Sequence, residues 1–94
     1  MRSVSKPKVW LLSVMRVNLA ERIFENAKPE AYSTRELAQE AMRKIIDDEV
    51  EAFGAEPLGF DDFMDVKHEE STVHLSEDSW CEVRIDEALV DETI

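Results

Sequence analysis

The sequence is poor in the residues that build cross-links, phosphate cradles and membrane spans. A single cysteine, Cys81, excludes an intrachain disulfide and a zinc-finger framework, and suits a reducing, cytoplasmic setting. Two glycines, Gly54 and Gly59, leave no glycine-rich loop to hold a phosphate. No apolar run approaches the length of about eighteen residues that a membrane span needs. The longest, residues 9–17, is broken by Ser13 and Arg16. Arg2, Lys6 and Lys8 ahead of it imitate the start of a secretory signal, but no small-x-small cleavage site follows, so the run reads as a strand. Basic side chains nearly vanish after the midpoint. Residues 47–94 hold only Lys67 and Arg84 against seventeen Asp and Glu, whereas residues 1–46 hold nine Lys and Arg against five acids. The two parts carry −15 and +4, which make up the net charge of −11.

That asymmetry restricts partners. Like charge opposes the approach of free nucleic acid or an anionic membrane to the carboxyl-terminal half, and a basic surface on another protein is its complement. Acid that only keeps a small protein soluble is the plainer explanation. The 94 residues suffice for one domain, 1–94, with a thin two-layer core; residues 1–7 and 91–94 are expected to be loose.

The strongest local pattern spans residues 33–53. Ser33 and Glu36 have the spacing of a capping box, and Leu37, Ala38, Ala41, Met42, Ile45, Ile46, Val50 and Phe53 recur at three and four. Gly54 stands where a left-handed residue ends a helix cheaply. Residues 9–17 are apolar on both parities, as in a strand from the middle of a sheet. Residues 72–76 and 80–86 alternate, with Val73, Leu75, Cys81, Val83 and Ile85 inward and Glu82, Arg84 and Asp86 outward. Glu77, Asp78 and Ser79 join them as a three-residue loop, and Leu89 and Val90 prolong the last strand. Residues 18–33 admit a short helix or, by preference, a hairpin with a strand at Ala31 and Tyr32; residues 60–65 admit a helical turn or a strand. The sum is an α+β two-layer sandwich: a mainly antiparallel sheet of three to five strands with one long helix on one face.

The stretches Lys8–Leu12, Tyr32–Ala41 and Trp80–Glu87 together resemble small acidic open reading frames of bacteriophages and mobile elements. In those, a K-V-W-L-L-like strand precedes Y-S-T-x-E-x-A-x-x-A and the chain ends in W-x-E-V-x-I-x-E. The resemblance implies the hairpin for residues 18–32 and an accessory role, and supplies no catalytic residues.

Enzymatic constellations are weak. Asp61, Asp62 and Asp65 lack the spacing of a calcium loop, and His68-Glu69-Glu70 is not H-E-x-x-H because Thr72 stands four beyond His68. Cys81 and His74 have opposite strand parity, so they cannot form a nucleophile and its base. Arg43 and Lys44 are expected to be neutralised along the helix by Asp47, Asp48 and Glu40 at i,i+4. No catalytic, metal or cofactor residues are therefore assigned. The expected function is that of a non-enzymatic, phage-like accessory protein whose acidic half binds a basic, nucleic-acid-binding surface of a partner protein. In its sharpest form it is a nucleic-acid mimic acting against a CRISPR or restriction system. The partner-binding residues are Asp61, Asp62, Asp65, Glu69, Glu70, Glu77, Asp78, Glu82 and Asp86, with Trp80 as an aromatic anchor. The alternative is a self-associating module, a homodimer through Trp10, Leu12 and Val14, in which acidity only confers solubility.

Overall fold

The largely apolar run of residues 9–17 needs partners at both edges and cover on at least one face. The fold supplies them by making this strand central, between β6 and the short strands β2 and β3. The computed structural model describes residues 8–89. Residues 1–7 and 91–94, expected to be loose, and Val90, expected to prolong the last strand, lie outside the described residues. The elements are β1 (Lys8–Asn18), β2 (Ile23–Asn26), β3 (Glu30–Tyr32), α1 (Arg35–Phe53), β4 (Gly59–Met64), β5 (His68–Ser76) and β6 (Ser79–Leu89). All pairings are antiparallel. The sheet runs β2-β1-β6-β5-β4, with β3 also on β1. β2 pairs with the Met15–Asn18 end of β1 and β3 with the Trp10–Leu12 end, so the two short strands share one edge. β6 pairs along β1 from Lys8↔Leu89 to Asn18↔Ser79.

One helix covers one face of this sheet. Leu12 and Val14 of β1, Val73 of β5, and Cys81, Val83 and Ile85 of β6 meet Ala38 and Ile46 of α1 in the core. Ala41, Met42, Ile45 and Val50 pack against it from the same stripe, while Leu37 and Phe53 lie exposed at its margins. Each wholly buried side chain of the size of Val73 or Ile85 contributes about 1.5–3 kcal/mol before entropy is charged. Gly54 ends α1 at φ 74°, and its N–H reaches the carbonyls of Val50 and Glu51.

Several expectations are corrected in detail. The helix begins one residue later than the Ser33–Glu36 box implies. Thr34 has extended backbone (φ −135°, ψ 154°), and its Oγ1 accepts the Leu37 N–H at 3.2 Å. The preferred hairpin reading of residues 18–32 holds, with β2 returning along β1 after a turn at residues 19–22 and Ala31 and Tyr32 in β3. Of the two readings of residues 60–65 the strand is realised, because each residue from 59 to 64 finds a partner on β5, from Gly59↔His74 to Met64↔Glu69. Ser79 belongs to β6, opposite Ser76, so the β5–β6 turn is Glu77 and Asp78 alone. Among the described residues none of the expected i,i+4 ion pairs closes; the helix instead pairs with the sheet, Arg35 with Glu69 and Glu49 with Arg16.

Candidate functional site

Side chains alternate across a sheet, so the core assigns every other residue to the opposite face. The core takes even positions of β1 and odd positions of β5 and β6. The remaining positions form a face that no described element covers. The registers lay it out in rows: Phe24, Val17, Trp80 and His74; then Met15, Glu82, Thr72 and Asp61; then Ser13, Arg84, Glu70 and Phe63; then Leu11, Asp86 and His68.

The residues expected to bind a partner divide among four places. Asp61, Glu70, Trp80, Glu82 and Asp86 share the open face. Glu77 and Asp78 form the tip of the β5–β6 hairpin. Asp65 lies in the β4–β5 turn, where its side chain accepts the Val66 N–H at 2.7 Å. Asp62 and Glu69 turn to the helix side, because they pair with Ser71 and Ile85 of core parity. There the Ser71 hydroxyl donates to Asp62 at 2.6 Å. Glu69 is only 6% exposed and accepts from Arg35 at 3.0 Å and Gln39 at 2.7 Å. Its carboxylate is thus spent inside the protein and is not free for a partner.

On the open face the carboxylates are interleaved with base. His68 Nδ1 lies 2.5 Å from Asp86 Oδ1 and its Nε2 3.3 Å from Glu70 Oε2. Only the doubly protonated ring can donate to both, and hydrogen bonding to Asp86, then to Glu70, raises the His68 pKa above its ordinary value. His74 Nε2 meets Asp61 Oδ2 at 2.6 Å. Arg84 stands directly opposite Glu70. Hydrogen bonding between the Glu70 and Glu82 carboxyls, available when one of them carries a proton, lowers the first and, together with partial burial, raises the second. Acid–base catalysis exploits such a split when a cleft excludes water. Here the pair stands on the flat face of a sheet, both members partly exposed.

One end of the face is apolar. Val17 is 4% exposed although it lies outside the core, flanked across the strands by Trp80 and Phe24. Trp80 therefore packs against a neighbour as well as facing outward. The expected dimer interface is not available, because Leu12 and Val14 point into the core beneath α1. Cys81 and His74 stand on opposite faces, and burial pushes the Cys81 thiol up to about 11.

No protein-family model, curated protein or solved structure matches the chain. The chemistry of the surface rests on its own geometry. Among the described residues no group of three or more His, Cys, Asp or Glu is placed to hold a metal ion. Sequence reasoning missed the role of His68 and the burial of Glu69 for one reason: β5 begins at His68, four residues before the alternation at Thr72 becomes visible. Continuing the Val73 parity backwards would have put Ser71 and Glu69 inward and His68 and Glu70 outward.

Proposed function

We propose that this protein is a non-catalytic binding protein whose acidic half engages a basic surface of a partner protein through the open face of its sheet. One observation carries the reading: Asp61, Glu70, Glu82 and Asp86 stand together on the face that α1 leaves uncovered, beside Trp80 and Phe24. Such a surface combines the ingredients of a protein interface, an aromatic patch beside charges that steer encounter. Glu82 and Asp86 are spaced by about 7 Å from intervening Arg84, and neighbouring strands lie about 4.8 Å apart.

The same layout favours a basic protein surface in general over imitation of a polynucleotide. Arg84 and His68 sit within the carboxylate rows, and Asp62 and Glu69 face the other way. A phosphate backbone carries no such interruptions.

The test is capture of partners from a host lysate on the immobilised protein, followed by identification of what is held. The reading expects basic, nucleic-acid-binding proteins that elute as salt rises to about 0.5 M, where screening is nearly complete. Glu70→Gln/Glu82→Gln/Asp86→Asn, checked for native circular dichroism, should hold them about tenfold less well. Duplex DNA that displaces them identifies the nucleic-acid-binding site as the contact. Equal capture by the triple variant, or capture indifferent to salt, would sink the reading.

A further inference from the structure

Strand β4 ends the sheet, and its outer edge is not paired among the described residues. Its inner edge is fully engaged: ladder pairing with β5 is extended by Leu58 N–H to the His74 carbonyl and Asp65 N–H to the His68 carbonyl, each at 2.7 Å. An edge of this kind offers a row of free backbone donors and acceptors to any extended chain. Its side chains are unusual for a bare edge. Phe63 is 57% exposed, Met64 73% and Val66 74%, and Leu58 and Phe60 are exposed as well. Isolated exposed apolar residues are ordinary, but here five fall within nine positions, Phe60 and Met64 on the helix side of β4, Phe63 on the open face, and Leu58 and Val66 at its two ends. On the helix side a cavity of about 320 Å³ lies along the strand, lined by Met42, Arg43 and Ile46 of α1, by Asp62 and Met64 of β4 and by Glu69 of β5, so that the single cation Arg43 is outnumbered by carboxylates.

Charge decides what can occupy this edge. A second copy is disfavoured. Antiparallel registers centred on Asp61, Asp62 or Phe63 would set Asp61 against Asp61, Asp62 against Asp62, or Asp61 against Asp65, between chains that each carry −11. Acid on an edge strand is a common block to self-pairing, and here it leaves the edge open to a chain of opposite sign. We propose that β4 captures an extended basic segment of a partner protein by antiparallel strand addition. Facing Met64, Phe63, Asp62, Asp61 and Phe60 in turn, the segment reads apolar, apolar, basic, basic, apolar. The side chains opposite Phe60, Asp62 and Met64 lie on the helix side, the last two beside the cavity, and those opposite Asp61 and Phe63 lie on the open face. The proposal rests on the reading that the acidic half binds a basic partner, and adds the backbone mode by which part of that partner docks.

The probe is a capped peptide with valine, isoleucine, lysine, lysine and valine in order, flanked by threonines and labelled for fluorescence anisotropy. Saturable binding is expected, with slowed amide exchange over residues 59–64. Asp61→Lys/Asp62→Lys should weaken it about tenfold or more, whereas Glu82→Gln/Asp86→Asn leaves it within about twofold. A peptide with the same side chains but N-methylated backbone should not bind. Equal binding of the N-methylated peptide, or unchanged exchange over residues 59–64, overturns strand addition. So does sedimentation showing that the edge is closed by a second copy. The two readings separate cleanly. If partner capture depends on the open-face carboxylates but the peptide does not bind, only strand addition fails. If the peptide docks but open-face variants capture partners normally, only the open-face reading fails.

Discussion

Arg35 Nη2 lies 3.0 Å from Glu69 Oε1 and so fastens the first turn of α1 to β5. The same guanidinium nitrogen donates to the Asp65 carbonyl at 2.9 Å, and Gln39 adds a second bond to Glu69 at 2.7 Å. Glu69 is nearly out of water, so removing its cationic partner strands a buried carboxylate. Arg35→Ala should destabilise the protein by about 2 kcal/mol, below the loss for a fully buried pair because Arg35 retains some solvent access. Glu69→Gln keeps acceptor and shape and should lose about 1 kcal/mol. Urea unfolding reads both as shifts in midpoint at constant slope; equal stability of Arg35→Ala and wild type would contradict the arrangement.

The helix start provides a sharper contrast. Thr34, not Ser33, accepts the Leu37 N–H. Thr34→Ala should therefore lower stability by about 1 kcal/mol, while Ser33→Ala changes it by only a few tenths. The reverse ranking in thermal or urea unfolding would restore the Ser33–Glu36 capping box.

These two sites also mark how far the sequence could be read. Periodicity gave α1 and β6 with their buried faces, because each has apolar residues repeating at one spacing. β1 was legible as a strand, but with both parities apolar its buried face was not, and Leu12 and Val14 turn out to lie in the core. Gly54 was equally legible, since few residues tolerate φ 74°. The cap slipped by one because Ser33 and Thr34 are both good caps and only the backbone angle separates them. β4 and the start of β5 were opaque for a different reason. Asp61, Asp62, Glu69 and Glu70 break the apolar alternation, yet register with a neighbouring strand holds them in place. The face on which an acid stands depends on that register, so residues 61, 62, 69 and 70 could be found together in sequence and still part company in space.

The Glu70–Glu82 pair makes a prediction of opposite sign. Hydrogen bonding to Glu70, with burial, raises Glu82, so at neutral pH two carboxylates are held together against their repulsion. Glu82→Gln relieves it and supplies an amide N–H that can donate to Glu70 at neutral pH. A gain of about 0.5 kcal/mol is expected, or about 3 °C in Tm. A clear loss of stability would show that Glu82 is held mainly by favourable partners such as Arg84.

Cys81 should be inert in the native protein. Its side chain is wholly buried, and burial pushes the thiol up to about 11, leaving about one thiolate in a thousand at pH 8 even before access is considered. A disulfide reagent added at pH 8 should react fully in urea and only at the rate of opening without it. Rapid modification of the native protein would mean that the sheet core between β5 and β1 is not closed.

The pH dependence of stability follows from His68. Bonds to Asp86 and then Glu70 raise its pKa, against burial and the charge of Arg84. A histidine raised on folding contributes stability that is complete below its unfolded value, about 6.5, and is lost as pH rises through the higher folded value. Glu70 acts on the acid side. It is lowered first by hydrogen bonding with Glu82, which needs a proton on that partner and is lost once both are ionised, and then by His68. The His68 contribution is present above the unfolded glutamate value of about 4.3 and fades as pH falls through the folded one. Between these limits both bonds to the ring are charge-assisted, and the β5–β6 pairing is held at its strongest. Urea unfolding of the wild type should therefore weaken from about pH 6.5 upward, and His68→Gln should remove that part of the slope. Ring proton signals should place the His68 titration above about 6.5. A midpoint at or below the value of a free histidine would mean that Asp86 and Glu70 do not hold the imidazolium in solution.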